Sequence, residues 1–311
     1  MAAVSPELAP SPRLGEAPLS YRLSRRVNEY ARLARLDRPV GTWLLLWPAL
    51  WALWIAGAGR PTPRVLIVFV LGVVVMRAAG CVINDFIDRD IDPHVRRTRD
   101  RPLAARRVSP GEALALFALL IGLALYLVTR LDLLTIKLAG IGALLTVSYP
   151  FFKRFFPLPQ LYLGISFGGW SVPMAFAAQT GSLPRVAWVL YIAAVIWAAL
   201  YDTIYAMVDR EDDLQIGVKS SAILFADLDR LLIGVMQLMM LYALVLVGRN
   251  MHFGRWYQGG IIAAAVLFAW QQWLIRRREP AACLRAFLNN RYVGLAVFVG
   301  ILLQYVYAEG G

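Results

Sequence analysis

The sequence predicts an all-α, polytopic membrane protein with about nine transmembrane helices. Three observations support this fold class. Hydrophobic residues make up 59% of the 311-residue chain, against about 45–50% in soluble domains, and the mean hydropathy is +0.58. Apolar runs of about 17–25 residues, each long enough to cross a bilayer as a helix, recur along the chain. The positively charged residues are also distributed unequally between alternate connections.

The nine predicted spans follow one another without a linker long enough to separate domains. They are residues 40–59, 65–83, 112–129, 132–150, 161–178, 186–206, 230–247, 259–275 and 291–307. Residues 39–308 are therefore predicted to form a single transmembrane domain.

Two segments precede this domain. Residues 1–20 are rich in Pro, Ala and Ser and lack the apolar core of a signal peptide, so they are predicted to be a disordered cytoplasmic tail. Residues 21–38 place Leu23, Val27 and Tyr30 on one helical face among many arginines. This pattern is typical of an amphipathic helix lying at the membrane interface. A helix that binds a partner protein is the alternative.

The basic residues predict how the chain is oriented. Most of the 32 Lys and Arg residues lie in the amino-terminal tail and in every second connection after it. Because cytoplasmic connections carry such an excess, the amino terminus is predicted to be cytoplasmic and the carboxyl terminus periplasmic. The low lysine content and the lack of a targeting sequence favour a bacterial inner membrane. The same distribution argues against nucleic acid as the partner behind the net charge of +12.

The few cysteines and histidines limit the metal chemistry. Two cysteines, Cys81 and Cys283, offer no disulfide framework and no paired motif. Two histidines are too few for a histidine-rich zinc or di-iron site. Any metal is therefore expected to be bound by oxygen.

Acidic residues gather at the ends of the second and sixth predicted spans, in "NDFIDRDID" (84–92) and "YDTIYAMVDREDD" (201–213). Each cluster places oxygen ligands on one helical stripe, because residues spaced by four, seven or eleven positions share a face. The stripes comprise Asn84, Asp88 and Asp92, with Arg77 seven residues earlier, and Asp202, Asp209 and Asp213, with Tyr205 at the edge. Pro93 is expected to end the first helix. Since four spans separate the clusters, both are predicted to face the cytoplasm.

The charges of these clusters suggest what binds between them. Five carboxylates brought together would repel one another unless a cation neutralised them, and Mg²⁺ is commonly bound by carboxylates together with substrate phosphates. Nearby bases suit the remaining oxygens of a diphosphate. These bases are Arg97, Arg99, Arg101, Lys153 and Lys219. The alternative, that such residues are only solvated loop charges, is kept for Asp90, Arg106, Arg107 and Arg276–Arg278.

The two clusters resemble the NxxxDxxxD and DxxYAxxDxxxD motifs of the UbiA superfamily of intramembrane aromatic prenyltransferases. Flanking blocks are similar to its 4-hydroxybenzoate polyprenyltransferase branch. These blocks are "RLDRPVGTWLLLWPALWALW", "RTRDRPLAA", "YPFFKRFFPLPQLYLG", "GVKSSAILF" and "FLNNRYVG". The resemblance extends over about residues 30 to 305.

The resemblance implies a nine-helix fold around an acid-lined cavity that opens sideways to lipid, and a Mg²⁺-dependent enzyme. The reaction would transfer a polyprenyl group from polyprenyl diphosphate to a ring carbon of 4-hydroxybenzoate, a step of ubiquinone biosynthesis. It also implies that Asn84, Asp88 and Asp92 bind one magnesium ion and Asp202, Asp209 and Asp213 another. The positions that match the diphosphate and aromatic-acid site are Arg77, Arg101, Tyr149 and Lys153.

The sequence also suggests candidates for the general base, for the shielding of a cation and for acceptor binding. A motif aspartate, with Asp88, Asp202 and Asp209 as candidates, is expected to act as general base. Aromatic rings would shield an allylic cation, with Phe86, Tyr149, Phe152 and Tyr205 as candidates. Arg77 is expected to bind the acceptor carboxylate, or alternatively only to pair with Asp88. Other readings are a haem, chlorophyll or naphthoate prenyltransferase, a CDP-alcohol phosphotransferase, whose DGxxAR stretch is absent, and a cation transporter.

Overall fold

A computed structural model of the chain describes residues 19–94, 98–155, 159–208 and 228–308. All regular secondary structure within these ranges is helical. The α-helices are α1 (Leu19–Leu33), α2 (Val40–Ala56), α3 (Pro63–Ile87), α4 (Pro110–Val128), α5 (Leu133–Phe155), α6 (Pro159–Leu163), α7 (Ser171–Thr180), α8 (Arg185–Val208), α9 (Asp229–Asn250), α10 (Arg255–Leu274) and α11 (Pro280–Ala308). Short 3₁₀ turns occupy Asp92–His94 and Ile275–Arg277, and a π-helical turn occupies Gly164–Gly168.

Each predicted span overlaps helical structure, so the predicted all-α membrane class is confirmed. Within the described ranges, seven helical stretches are long and apolar enough to cross a membrane. Two further apolar helices, Val40–Ala56 and Leu133–Tyr149, are shorter than that. The number of nine crossings therefore stays a prediction.

The fifth predicted span is not one regular helix, because α6 passes through a π-helical turn before α7 begins. The glycines of this turn lie directly against α8. A Cβ added to Gly164 would be 2.6 Å from the carbonyl oxygen of Val195, and one added to Gly168 would clash with the Cβ of Ala198. Small residues of this kind let membrane helices approach closely.

The packing divides the chain into two compact units, each with its own apolar core. Unit 1 comprises the described parts of Met1–Arg38 and Ala78–Ile121, and unit 2 comprises Pro39–Arg77 and Gly122–Gly311. The core of unit 1 is formed by Leu33, Val82, Leu103, Val108 and Ala113. These units follow packing rather than position in the sequence, and the predicted division into tail, interfacial helix and membrane domain stays a prediction. Residues 21–33 of the predicted interfacial helix lie within α1.

Buried polar side chains in unit 2 pair with one another between helices. The Trp197 indole donates to the Asn290 Oδ1 atom at 3.0 Å, and the Trp51 indole donates to the carbonyl of Gly294 at 3.0 Å. A chain of amides links α9, α10 and α11, since Gln237 donates to Gln271 and Gln271 donates to Asn289. These bonds satisfy groups that would be costly to leave unpaired in an apolar interior.

Helices α10 and α11 cross where two glycines face each other. A Cβ added to Gly260 would lie 2.8 Å from both the Ala296 carbonyl oxygen and the Gly300 Cα. One residue earlier, a Cβ added to Gly259 would have no neighbour within 4 Å. The backbones therefore touch at Gly260 and not at Gly259.

We expect Gly260→Ala to destabilise the protein by about 1–3 kcal/mol, since the new methyl group would push two backbones apart. Gly259→Ala is the matched control and should be neutral or slightly stabilising, because alanine is favoured over glycine within a helix. Thermal unfolding of the two purified variants in one detergent compares them. Equal unfolding midpoints would contradict the close crossing.

Candidate active site

The first acidic motif lies where α3 ends. The α-helix ends at Ile87 rather than continuing to Pro93, so the predicted end of this helix was wrong. Bonds of the shorter 3₁₀ type, from Ile91 N to the Asp88 carbonyl and from His94 N to the Ile91 carbonyl, tighten the chain here. The amides of Asp88 and Asp92 nevertheless bond four residues back, at 3.0 and 2.8 Å. The motif residues therefore still follow one another at intervals of about one turn.

The side chains of this motif offer oxygen ligands. The Asn84 amide nitrogen donates to the Asp88 Oδ2 atom at 3.2 Å, so an amide and a carboxylate stand together at the end of α3. Asp92 is buried, and its carboxylate accepts a 2.8 Å hydrogen bond from Arg101. Amide and carboxylate oxygens are hard donors, which is the donor set that Mg²⁺ prefers. The chemistry of these residues thus fits the predicted ion.

Asp85 is a residue beside the first motif that the sequence did not single out. Its side chain is only 1% exposed, and it contacts Arg35 at 2.8 Å and Arg101 at 3.1 Å. Arg101 therefore bridges Asp85 and Asp92. The position of Asp85 beside the motif but off its stripe was visible in the sequence, and a buried acid needs a base. Its partner Arg35, fifty residues away, was not visible.

Arg35 closes α1 in an unusual backbone conformation. Its φ of 57° lies in the left-handed region, which residues other than Gly, Asn and Asp rarely adopt. The amides of Arg35 and Leu36 bond to the carbonyls of Arg32 and Ala31, the pattern of a Schellman motif. This geometry accompanies the pair with Asp85, so the end of α1 is tied to the helix that carries the first motif.

Two more contacts tie α1 to the chain around α4. Arg107, predicted to be a solvated loop residue, binds Glu29 at 3.0 Å, so that prediction was wrong. Tyr30 donates to Glu112 at 2.8 Å, and this carboxylate raises the pKa of the Tyr30 hydroxyl above its ordinary value. Glu112 also forms a capping box with Ser109 at the start of α4.

The second acidic motif lies only partly within the described residues. Asp202 is half-buried near the carboxyl end of α8, whereas Asp209, Asp213 and Lys219 fall outside the described ranges. The carboxylate of Asp202 is close enough to the hydroxyl groups of Tyr149 and Tyr201 to interact electrostatically with both. The positive charge of Arg77 also acts on Tyr201. Unit 2 thus brings three predicted site residues, Asp202, Tyr149 and Arg77, into one electrostatic neighbourhood.

Gly41 lies directly against the guanidinium of Arg77. A Cβ added to Gly41, in the first turn of α2, would lie 2.6 Å from the Nε atom and 2.7 Å from one terminal nitrogen of Arg77. No other side chain would fit there without moving the arginine. The absence of a side chain at Gly41 thus leaves room for the Arg77 guanidinium, which the sequence did not indicate.

Aromatic rings surround the tyrosines of this region. Tyr149 stacks on Tyr162 with ring centroids 6.3 Å apart, and Phe167, in the π-helical turn, meets it edge-on at 5.7 Å. Tyr205 packs against Phe287 at 4.8 Å. The side chains of Lys153 and Phe152 lie outside the described part of α5. An aromatic environment of this kind can stabilise a cationic group.

Within the described residues, no three His, Cys, Asp or Glu side chains gather closely enough to hold a metal ion. Asp209 and Asp213 lie outside these residues, and Asp92 pairs with Arg101. The structure places the other predicted ligands near helix ends, Asn84 and Asp88 at the end of α3 and Asp202 near the end of α8. Their role as ligands stays a prediction.

Comparison with known proteins agrees with the motifs. The model of the UbiA prenyltransferase family matches residues 45–307. The 4-hydroxybenzoate octaprenyltransferase of Methylococcus capsulatus is 57% identical over 288 residues, covering 93% of this chain and 98% of that protein. A UbiA homolog from Aeropyrum pernix has a similar fold, with a TM-score of 0.73, 23% identity, and coverage of 85% of this chain and 98% of that one. An Archaeoglobus fulgidus UbiA homolog bound to GPP and Mg²⁺ gives a TM-score of 0.67 at 17% identity, covering 89% and 99%.

We expect Asp85→Asn to lower the thermal stability of the protein, because Arg35 and Arg101 would lose their shared carboxylate. Hydrogen bonds to charged groups contribute about 1.5–3 kcal/mol each at partly buried sites. Asp90→Asn is the matched control, since the Asp90 side chain is 81% exposed and contacts Arg89 at 3.5 Å. Thermal unfolding in detergent measures both variants, and a control that melts as early as Asp85→Asn would argue against this role.

Proposed function

The chain belongs to the UbiA prenyltransferase family, and on that premise we propose that it transfers a polyprenyl group from polyprenyl diphosphate to a ring carbon of 4-hydroxybenzoate. The observation that carries this proposal is the 57% identity, over nearly the whole length of both chains, to a 4-hydroxybenzoate octaprenyltransferase. This reaction belongs to ubiquinone biosynthesis. The chain is a multi-pass membrane protein, and we place it in the bacterial inner membrane with its active site and amino terminus on the cytoplasmic side.

The two acidic motifs would bind the diphosphate through Mg²⁺. Asn84, Asp88 and Asp92 would hold one ion, and Asp202, Asp209 and Asp213 another. The bound ions would neutralise the negative charge that develops on the leaving diphosphate. The adjacent Asn84 and Asp88 side chains support the first set, since both present hard oxygen atoms at the end of α3. Arg101, Lys153 and Lys219 would bind the remaining diphosphate oxygens.

Arg77 would bind the carboxylate of 4-hydroxybenzoate. A guanidinium and a carboxylate form paired hydrogen bonds of fixed geometry, and the lack of a side chain at Gly41 leaves the space in which this guanidinium lies. Asp202 and Arg77 both interact electrostatically with the Tyr201 hydroxyl. This neighbourhood suits an acceptor that carries an acid group and a phenol.

The described aromatic residues would protect the reactive carbon. Breaking the bond to the diphosphate leaves an allylic cation, which must be shielded from water before the ring attacks it. Tyr149 and Tyr205 would offer ring faces to this cation. One of the motif aspartates Asp88, Asp202 and Asp209 would accept the phenol or ring proton as general base.

A membrane assay with 4-hydroxybenzoate and a polyprenyl diphosphate tests the proposed reaction. We expect EDTA to abolish product formation and added Mg²⁺ to restore it, because the acidic motifs need a hard cation to bind the diphosphate. Asp88→Asn should lower kcat/KM by at least tenfold, and Asp90→Asn should leave it unchanged. The same assay is run with naphthoate and haem acceptors. Faster turnover with either of them would show that 4-hydroxybenzoate is not the preferred acceptor. Unhindered turnover in EDTA would refute the role of the metal.

Substitutions at Arg77 and Gly41 test how the acceptor binds. We expect Arg77→Ala to raise the KM for 4-hydroxybenzoate by about tenfold or more, as for the loss of a charge-assisted pair. Gly41→Ala should raise it less, by displacing the guanidinium without removing its charge. Gly72→Ala is the control, because a Cβ there meets no atom within 4 Å.

The pattern of effects separates the two roles of Arg77. A raised KM for the prenyl diphosphate with an unchanged KM for 4-hydroxybenzoate would show that Arg77 does not bind the acceptor. Loss of thermal stability with both KM values unchanged would indicate a purely structural ion pair.

A further inference from the structure

A groove of about 660 Å³ lies between α9 and α10, within unit 2 and apart from the residues assigned to the reaction. On α9 its lining runs from Arg230 to Leu241, a distance of about 16 Å along a helix. This length is close to the hydrocarbon thickness of one leaflet, about half of the roughly 30 Å core. The groove therefore extends about as far as a single acyl chain would.

The walls of the groove are apolar over most of their length. Leu231 and Leu238 are 63% and 69% exposed, and Phe268 closes the side formed by α10. Two amides also line it, but the Gln272 side chain donates to Gln237 Oε1 at 3.0 Å and to the Arg230 carbonyl at 3.3 Å. Because these amides bond to each other and to the backbone, the groove suits a hydrocarbon chain.

Positive charge collects at one end of the groove. Arg230 lines it there, and its Nε atom is buried without a hydrogen-bond partner among the described residues. A terminal nitrogen of Arg230 donates to the backbone carbonyl of Arg276 at 3.2 Å, so the exposed Arg276 lies next to Arg230, just outside the groove lining. The Arg276 guanidinium stacks on the Trp273 ring at 3.9 Å, an aromatic and basic pairing typical of the membrane interface.

The nearby acids do not cancel this charge. Asp229 is fully buried and is bound by Arg278, which contacts it at 2.8 Å through one nitrogen and at 3.0 Å through another. Arg278 was predicted to be a solvated loop residue, and its contacts with the buried Asp229 show that this prediction was wrong. Glu279 lies 4.0 Å from Arg277, and both side chains are exposed. Arg230 and Arg276 therefore remain available to attract an anion.

We propose that this groove binds an anionic phospholipid, with one acyl chain between α9 and α10 and the phosphate at Arg230 and Arg276. Basic residues between transmembrane helices are suited to lipid headgroups, and the attraction is strongest where the groove meets the membrane surface. In the predicted orientation this end faces the cytoplasmic leaflet. The bound lipid would fill the space between two helices and join them on their lipid-facing side.

Native mass spectrometry of the full-length protein in detergent tests the site with phosphatidylglycerol, phosphatidylcholine of the same acyl chains, and soluble glycerol phosphate. We expect one phosphatidylglycerol molecule to be retained per chain, and the other two probes to be lost. Arg230→Gln should weaken the retention of phosphatidylglycerol by about fivefold, the effect of one basic residue near a charged lipid surface. Arg285→Gln is the matched control, because Arg285 is an exposed arginine on the neighbouring α11 and does not line the groove.

A second variant tests the acyl chain independently of charge. Gly234→Leu should fill the groove and reduce phosphatidylglycerol retention without lowering the unfolding midpoint of the lipid-free protein, since a Cβ there approaches only the Gln272 amide, at 3.5 Å. Equal losses for Arg230→Gln and Arg285→Gln, or equal retention of phosphatidylcholine, would overturn the proposal. Retention of glycerol phosphate as strong as that of the lipid would show a soluble-anion site and would overturn it too.

Discussion

Neutralising buried carboxylates at helix ends is the constraint on which much of this structure depends. A charged side chain is expensive within hydrocarbon, at about 2.5–3.5 kcal/mol near a helix centre, and a buried acid needs a base beside it. Asp85 and Asp229 are 1% and 0% exposed, and each is bound by an arginine. Both arginines, Arg35 and Arg278, have left-handed backbone conformations just after a helix or a 3₁₀ turn.

The same arrangement therefore occurs in both units. A glycine would adopt the left-handed conformation at less cost, but it would leave the aspartate without its cation. Removing one member of a buried ion pair is usually more destabilising than the local backbone strain. The arginine thus ends the helix and neutralises the acid with one residue. In unit 1 this pair ties the end of α1 to the helix that carries the first motif, and in unit 2 it leaves Arg230 at the end of the groove that we propose to bind lipid.

The sequence predicted the helices well, because apolar runs and the prolines and glycines around them are local signals. Family membership was predictable for the same reason, since both motifs are short and contiguous. The pairs Arg35–Asp85 and Arg278–Asp229 join residues 50 and 49 positions apart, and no local pattern indicates which base meets which acid. The π-helical turn and the contact between Gly41 and Arg77 also escaped prediction, because they depend on how closely neighbouring helices pack. The early end of α3 shows that a proline limits a helix without fixing its last residue.

The ion pair between Arg101 and Asp92 joins two residues for which the sequence predicted different ligands, a diphosphate and a metal ion. In the proposed reaction Asp92 binds a metal ion and Arg101 binds a diphosphate, yet here the two side chains bind each other at 2.8 Å. Both are mostly buried, so either charge alone would be costly to leave uncompensated. A metal-bound diphosphate would bring a cation for Asp92 and an anion for Arg101, so each side chain would exchange one opposite charge for another. Asp85 contacts the same guanidinium at 3.1 Å, and this contact would hold Arg101 beside the motif while Asp92 exchanges its partner.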